Sequence, residues 1–277
     1  MTLPPDGHVH TEWSWDAPGG SMERTCARAV ELGLPAVAFT EHADFTVCVV
    51  DSEDLAGFPH LQPYAVDGRL FPPDVDVDGY LECLQRCREL YPELRIISGV
   101  ELGEPHWHAD AAARLLAAGG YERVLGSLHC LPLGEEYADA AEHFRHAPAG
   151  DVLRRYLAEI PNLVAQSDTF GVLAHIDYAV RYWPRDAGPF DIFAFEDEFR
   201  YALRAVAAGD RVLEVNTKSP MIPEIVGWWR QEGGEAVAFG SDAHVADALA
   251  HRFAEAAAMV EAHGFRPGRH AYDFWLR

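Results

Sequence analysis

The chain of 277 residues is 49% hydrophobic, and its 22 basic and 44 acidic residues give a formal net charge of −22. This length and apolar content suit one substantial core, so we expect a single domain over residues 1–277. The negative charge disfavours nonspecific binding to nucleic acid backbones and to anionic membranes, so a small anionic substrate would need locally placed cations.

Short apolar or β-branched segments alternate along the chain with segments of helical periodicity. Strands are predicted over residues 36–40, 95–100, 123–128, 170–174, 211–215 and 236–239. Helices are predicted over residues 22–32, 79–91, 109–118, 152–165, 193–208, 223–231 and 246–262. The alternation indicates repeated βα units, whereas residues 48–78, with several Asp, Gly and Pro, are predicted to form a long loop beside the site.

The five cysteines are odd in number and lack the paired short spacings of a structural zinc site. They therefore predict neither a disulfide framework nor a zinc knuckle built from four cysteines, and a reducing compartment fits best. The sequence has no leader-like segment and no apolar run long enough to span a bilayer. We expect a soluble, unprocessed protein of the cytoplasm.

Side chains that commonly bind metals recur along the whole chain in five clusters. The clusters are His8-Val-His10 with Asp16, Glu41-His42, Glu101, His129 with His175, and Asp242-Ala-His244. Imidazoles and carboxylates bind Zn²⁺, Mn²⁺ or Fe²⁺ well, and one four-coordinate ion could not use so many of them. The clusters predict a multinuclear centre, and such centres mostly hydrolyse phosphate esters.

Several of these residues come at the end of a predicted strand or just beyond it. They are His42, Glu101, His129, His175 and Asp242. In a parallel βα barrel, the carboxyl ends of all strands face one rim, so distant residues converge there on one open site. A Rossmann-like open sheet could present the same residues, but the chain lacks a strand-linked G-x-G-x-x-G fingerprint.

The segments DGHVHTEWSWD, TEHAD, SGVELG, GSLH, LAHID and GSDAH occur in this order along the chain. This ordered set resembles the polymerase and histidinol phosphatase (PHP) superfamily. The segments DGHVHTEWSWD, EVNTKSP and GSDAH look like its stand-alone histidinol-phosphatase branch. The resemblance implies an α/β fold, a distorted (β/α)7 TIM-like barrel with two or three divalent ions at the carboxyl rim of the strands.

The resemblance also assigns ligands to each ion of a trinuclear site. His8 and His10 would join Glu101 and Asp242 at one ion, and Glu101 would bridge to a second ion held by His129 and His175. Asp16, His42 and His244 would surround the third ion. Glu41 and Asp44 are interpreted as supporting or loop carboxylates, and Asp177 as a residue that orients His175 or caps a turn.

Neighbouring divalent ions favour hydrolysis of a phosphomonoester by a hydroxide that bridges the two ions sharing Glu101. Asp242, His244 or a metal-bound water would assist protonation of the leaving group. Phosphate also needs a cationic clamp, for which Arg155, Arg181 and Lys218 are the best candidates and Arg154 and Arg185 are substitutes.

The remaining histidines and the tryptophans of the first motif have weaker assignments. We expect surface or capping roles for His106 and His108, and place His143 and His146 in a polar segment before a helix. Trp13 and Trp15 are candidates for a pocket wall.

The resemblance names L-histidinol phosphate as the substrate, although the segment KSPMIPEIV after EVNT departs from the family pattern. A phosphodiesterase or 3′-5′ exonuclease is an alternative, but the acidic composition makes nucleic acid a less suitable partner. A second alternative is a metal-binding regulatory protein without catalysis.

Overall fold

A computed structural model describes residues 3–219 and 221–277, and within them thirteen strands and nine α-helices form. The strands are β1 (Asp6–Val9), β2 (Ala36–Ala43), β3 (Cys48–Val49), β4 (Ala65–Val66), β5 (Arg69–Leu70), β6 (Arg95–Gly103), β7 (Arg123–Ser127), β8 (Cys130–Leu133), β9 (Glu136–Asp139), β10 (Val172–Leu173), β11 (Val212–Asn216), β12 (Ala236–Gly240) and β13 (Trp275–Leu276). The α-helices are α1 (Met22–Leu32), α2 (Ser52–Gly57), α3 (Val77–Leu90), α4 (Ala109–Gly119), α5 (Ala140–His143), α6 (Ala149–Gln166), α7 (Glu196–Ala208), α8 (Pro223–Gln231) and α9 (Phe253–Ala262). Short 3-10 helices cover Pro59–Tyr64, Tyr178–Tyr182, Arg185–Ala187, Ile192–Phe195 and Ala246–Ala248.

The main sheet has eight strands in the order β1-β2-β6-β7-β10-β11-β12-β13. The first seven pair in parallel, and β13 runs antiparallel to β12. The sheet is curled, because the backbone N–H of His10 donates to the carbonyl of Ala243 and that of Asp242 donates to the carbonyl of His8, both at 2.8 Å. The carboxyl ends of the parallel strands therefore surround one region.

The strands of the main sheet are buried along nearly their whole length because helices cover the outer face. The largest apolar cluster joins the β10–β12 side of the sheet to the buried faces of α6, α7, α8 and α9. A second cluster packs α1 and α3 against β2. All five cysteines lie in the described part of the chain, where each is buried and unpaired.

All six predicted strands form, but β2 and β6 continue three residues beyond the predicted ends, so that His42 and Glu101 lie inside their strands. The predicted helix over residues 246–262 is wrong in its first half. A short 3-10 helix is followed by a turn with positive φ at Ala250 (53°) and Arg252 (55°), and only then by α9. The cause is Asp6, whose Oδ2 accepts a hydrogen bond from the Ala250 N–H at 2.9 Å and so holds the turn.

The prediction of a long loop over residues 48–78 is also wrong. This segment contains α2, a 3-10 helix and the short strands β3, β4 and β5, which join β8 and β9 in a second sheet of order β4-β5-β3-β9-β8. Strands of two residues carry no readable periodicity, and the pairing of Val49 with Ala138 is long-range. We call the second sheet together with α2 and α5 the cover.

None of the helices within residues 3–219 and 221–277 has the length and apolar character to cross a lipid bilayer.

Candidate metal centre

The carboxyl ends of the parallel strands bring all nine predicted ligand residues into one connected cluster. β1, β2 and β6 contribute His8, His42 and Glu101 from within the strands. The other members follow a strand: His10 and Asp16 after β1, His129 after β7, His175 after β10, and Asp242 and His244 after β12.

Glu101 is the centre of this cluster and is fully buried. Its Oε2 lies 3.1 Å from His8 Nε2, 3.4 Å from His10 Nε2 and 3.2 Å from His42 Nδ1. Its Oε1 lies 2.8 Å from His175 Nε2 and 3.4 Å from His129 Nε2. Burial alone would raise the pKa of Glu101, but His8 and His42 hold it well below its ordinary value. The carboxylate is thus ionised and shared among five imidazoles.

Asp16 connects the outer part of the cluster. Its Oδ2 lies 3.1 Å from His244 Nε2 and 3.5 Å from His42 Nε2. Burial opposes ionisation of Asp16 as well, yet His42 and His244 lower its pKa. The rings of His10 and His42 stack at 4.1 Å, which brings the outer and inner parts of the cluster into contact.

Five sets of three side chains each have their ligand atoms within 4.8 Å of one another. The sets are His8-His10-Glu101, His8-His175-Asp242, Glu101-His129-His175, His10-His42-His244 and His42-Asp44-His129. Two imidazole nitrogens face each other at 2.9 Å, His8 Nε2 and His10 Nε2, beside an ionised carboxylate. This donor set fits divalent ions of the zinc, manganese and iron type.

Most of the clustered imidazoles are oriented by a polar partner on the opposite side of the ring. Glu214 Oε1 lies 2.6 Å from His8 Nδ1, Ser14 Oγ lies 3.1 Å from His10 Nδ1, and Asp44 Oδ1 lies 3.3 Å from His129 Nδ1. Such partners fix the tautomer and orientation of metal-binding histidines.

Glu214 lies in the segment EVNT but was not among the predicted site residues. Glu214 is 1% exposed, and its Oε2 accepts a hydrogen bond from the His175 N–H at 2.7 Å. Burial would raise the pKa of Glu214, but the charge and the hydrogen bond of His8 lower it. A signal was present, because an acidic residue inside the apolar strand Val212–Asn216 needs a buried partner.

The predictions for the three supporting carboxylates, Glu41, Asp44 and Asp177, agree with the structure to different degrees. Glu41 accepts hydrogen bonds from the Thr11 N–H and from the Thr11 and Ser14 hydroxyls, and burial raises its pKa to about 7. Asp44 contacts His129 and accepts a hydrogen bond from Trp15 Nε1 at 3.0 Å. The prediction for Asp177 is wrong: over the described residues its side chain makes no capping bond, and His175 Nδ1 has no hydrogen-bond partner.

Two of the three predicted phosphate-binding cations reach the cluster. Arg181 Nη1 donates to Asp242 Oδ2 at 3.0 Å, and Lys218 Nζ donates to Asp242 Oδ1 at 2.9 Å. Burial opposes ionisation of Asp242, but Lys218, His8 and Arg181 hold its pKa well below the usual value. Arg181 is only 9% exposed, and within residues 3–219 and 221–277 its Nε and Nη2 have no hydrogen-bond partner.

Arg155 is not brought to the site. Helix α6 turns Val152, Leu153 and Tyr156 toward the core, so Arg155 faces solvent on the opposite side. It is absent from the described residues that line the cavity above the cluster. Periodicity located the helix but did not give its rotation relative to the site.

A cavity of about 780 Å³ opens between the cluster and the cover. One wall contains His42, His129, His175, Asp242 and His244 together with Arg181 and Lys218. The lining also contains apolar and aromatic side chains, namely Trp15, Val50, Phe58, Leu61, Leu70, Pro72, Tyr178 and Tyr182. Trp15 thus lies where a pocket wall was predicted, whereas Trp13 packs in the cluster with α1 and α3.

Three other histidines differ from expectation. His106 is 9% exposed and its Nε2 lies 2.9 Å from Glu159 Oε1, so the prediction of a surface residue is wrong. His108 precedes α4 without a side-chain cap bond and contacts Thr46 Oγ1 at 2.9 Å. His143 lies inside α5, fully buried, and its Nε2 donates to the carbonyl of Leu131 at 3.1 Å.

Comparison with known proteins gives a family match over most of the chain. The model of the PHP domain matches residues 6–218. A histidinol-phosphatase from Lactococcus lactis is 23% identical over 249 residues, which cover 87% of this chain and 84% of that protein.

Two solved structures have a similar fold. The crystal structure of histidinol phosphate phosphatase from Lactococcus lactis, complexed with zinc, L-histidinol and phosphate, aligns with a TM-score of 0.80 at 18% identity and covers 99% of both chains. A candidate histidinol phosphatase from Listeria monocytogenes aligns with a TM-score of 0.66 at 18% identity, covering 91% of this chain and 99% of its own.

Proposed function

Because the chain belongs to the PHP domain family, we propose that it is a metal-dependent phosphatase that hydrolyses L-histidinol phosphate to L-histidinol and phosphate. Relatives that cover most of this chain are named for that reaction, and one was solved with zinc, L-histidinol and phosphate. The observation that carries the proposal is Glu101, a buried carboxylate with five imidazole nitrogens within 3.4 Å.

We assign the fold as a distorted (β/α)7 barrel with the metal site at its carboxyl rim. The assignment is supported by seven parallel strands and by the hydrogen bonds between the residues around His8 and Asp242. These bonds join the first strand to the end of the last parallel strand, as closure of a barrel requires. The domain comprises residues 1–277.

The clustered side chains would hold two or three ions of Zn²⁺, Mn²⁺ or Fe²⁺. His8, His10, Glu101 and Asp242 form the first set, Glu101, His129 and His175 the second, and Asp16, His42 and His244 the third. Bound there, divalent ions would polarise the phosphoryl oxygens and lower the pKa of water. The ionised state of Glu101 and Asp16 supports binding of cations at neutral pH.

The substrate phosphate would be held by Arg181 and Lys218. The Nε and Nη2 of Arg181 are buried donors without a partner in the described chain, and both cations line the cavity. A buried guanidinium with two free donors suits two phosphoryl oxygens. Both cations also touch Asp242, so they would place the phosphate beside the metal-type residues.

His244 is the better of the two predicted proton donors for the leaving alcohol. Asp242 is held ionised by Lys218, His8 and Arg181 and so carries no proton to give. His244 lines the cavity, and its Nε2 faces Asp16 at 3.1 Å. A general acid must lie within hydrogen-bond reach of the leaving oxygen, and His244 meets this requirement because it lines the cavity.

A phosphate-release screen after reconstitution with Zn²⁺, Mn²⁺ or Fe²⁺ tests the function. We expect L-histidinol phosphate to exceed sugar phosphates and nucleotides in kcat/KM, with metal analysis giving two or three ions per chain. The matched variant Glu101→Gln should lose activity by more than about 100-fold, beyond the loss expected for a partner outside the coordination shell.

A labelled oligonucleotide in the same screen distinguishes the alternatives. Cleavage of the diester without turnover of any monoester would replace the proposed phosphatase with a nuclease. Metal binding without turnover of either substrate would instead favour a regulatory protein.

A further inference from the structure

His175 differs from the other inner imidazoles in what orients its ring. His8, His10 and His129 each have a polar side chain at Nδ1, contributed by Glu214, Ser14 and Asp44. Within the described residues, His175 Nδ1 is buried and has no such partner. Among the described residues, the His175 ring thus has a polar partner at Nε2, where Glu101 Oε1 lies at 2.8 Å, but none at Nδ1.

The aromatic ring of Tyr178 packs beside the two imidazoles that face Oε1 of Glu101. Its centroid lies 5.2 Å from that of His175 and 5.1 Å from that of His129, and the two imidazoles are themselves 5.2 Å apart. The three rings form a nearly equilateral triangle. Both imidazoles direct Nε2 at Oε1 of Glu101.

Hydrogen bonds hold Tyr178 at its backbone N–H and at its side-chain hydroxyl. Its backbone N–H donates to the carbonyl of His175 at 2.8 Å, which starts the 3-10 helix Tyr178–Tyr182. Its hydroxyl donates to Asp139 Oδ2 at 2.7 Å. Asp139 ends β9 in the cover, and its other oxygen accepts a hydrogen bond from the Ala141 N–H at the start of α5.

We propose that Tyr178 is a positioning residue: its ring holds the imidazoles of His129 and His175 in the orientation that binds a divalent ion together with Glu101. The inference rests on the proposed function and adds to it a residue outside the ligand set that supports the metal centre by packing. A packed aromatic ring restricts the rotation of both imidazoles, as a hydrogen bond does for His8.

Metal affinity tests this role without any substrate. Mn²⁺ is titrated calorimetrically into the chelator-treated chain and into Tyr178→Leu, which removes the planar ring. We expect one class of binding event to weaken by about 10- to 100-fold, the range found for residues that support metal ligands. Tyr178→Phe keeps the ring and should stay within about 3-fold of the wild type, since only the bond to Asp139 is lost.

Tyr201→Leu is the matched control, because Tyr201 lies on α7, is 57% exposed and does not line the described cavity. Its Mn²⁺ affinity should equal that of the wild type. If Tyr178→Leu does not fold, Tyr178→Met fills the same space with a flexible chain and takes its place. Wild-type Mn²⁺ affinity in the folded leucine or methionine variant overturns the proposal, as does an equal loss in Tyr178→Phe.

Kinetics with the phosphomonoester provide a second measurement. For Tyr178→Leu, the fall in kcat is expected to exceed the rise in KM. The ring supports the ligand-type imidazoles directly, whereas it affects phosphate binding only through Arg181, whose guanidinium lies 5.3 Å from the ring centroid. An increase in KM alone would assign Tyr178 to substrate contact and overturn the positioning role. A wild-type chain that binds Mn²⁺ but hydrolyses no ester would refute the phosphatase while leaving the titration result interpretable.

Discussion

Glu214 and Glu101 occupy opposite sides of the His8 ring, 2.6 Å from Nδ1 and 3.1 Å from Nε2. The imidazole therefore has a carboxylate at each nitrogen, and its position is determined on both sides. Burial opposes a charged imidazole, but Glu214 and Glu101 raise the pKa of His8 well above its ordinary value. Gly240 makes room for this arrangement, because a Cβ at that position would lie 2.0 Å from Glu214 Oε1.

Glu214→Gln tests the support of His8 at the scale of one residue. The amide keeps the size of the side chain but removes the charge, so metal affinity should fall by about 10- to 100-fold. Calorimetric titration with Mn²⁺ measures the effect, and Glu235→Gln on the surface is the control, since the Glu235 side chain is 76% exposed. Equal affinities in the two variants would contradict a supporting role for Glu214.

The residues of the metal cluster could be predicted because their types are rare at strand ends and recur in a fixed order. The structure places all nine predicted residues in one cluster, while their action as ligands stays a prediction. Glu214 and Tyr178 were missed because they act through another residue, and a single sequence gives no contact between positions so far apart. Arg155 was misplaced because the rotation of α6 about its axis depends on tertiary packing.

At the scale of elements, some strands can be predicted from the sequence and others cannot. Six strands of the main sheet could be predicted because they are compact apolar segments, most of them followed by a polar ligand-type residue, whereas the short strands β1 and β13 were not predicted. β3, β4 and β5 contain two residues each and are defined by pairing with distant strands, so local pattern does not reveal them. Asp6 similarly interrupts the last predicted helix from more than 240 positions away.

Within the cover, Arg145 connects α2 to α5 through side-chain hydrogen bonds. Its Nη1 and Nη2 each donate to an oxygen of Asp54 at 2.9 Å, and Nη1 also contacts Glu142. All three residues line the cavity. The side chains of Arg145 and Asp54 are each about two-fifths exposed, so their ion pair contributes little to the free energy of folding.

Arg145→Gln should loosen the cover and raise KM by roughly 3- to 10-fold, with little change in kcat or in the melting temperature. Steady-state phosphate release measures both constants. Arg69→Gln is the matched control, because Arg69 forms an exposed pair with Glu136 in the same sheet but does not line the described cavity. An unchanged KM in Arg145→Gln would show that the ion pair does not affect substrate binding.

At the scale of the whole molecule, the metal centre concentrates part of the charge of −22 in the middle of the fold. Glu101 and Asp242 are 0% and 4% exposed, and several imidazoles are packed beside them. Ions that bind only the folded chain stabilise it by mass action. The stability of the protein is therefore expected to depend on metal.

Removal of metal by a chelator should abolish activity and lower the melting temperature by about 5 °C for each ion lost, because an ion present at 100 times its Kd contributes roughly 2.7 kcal/mol. Differential scanning calorimetry with and without added Mn²⁺ measures the shift. In Glu101→Gln the shift should largely disappear. Identical melting temperatures for the wild type in both conditions would contradict metal binding at this centre.

The hydrogen bonds between His8 and Asp242 and between His10 and Ala243 join positions near the two termini. Asp6 adds two further contacts between these regions, because its carboxylate accepts hydrogen bonds from the Ser241 and Ala250 N–H groups. On the ribosome, a growing polypeptide would hold most of its imidazoles long before the segment bearing Asp242 and His244 emerges. Metal capture at the complete centre therefore waits until this segment has been synthesised, and a chain released before it would carry an incomplete set of ligands.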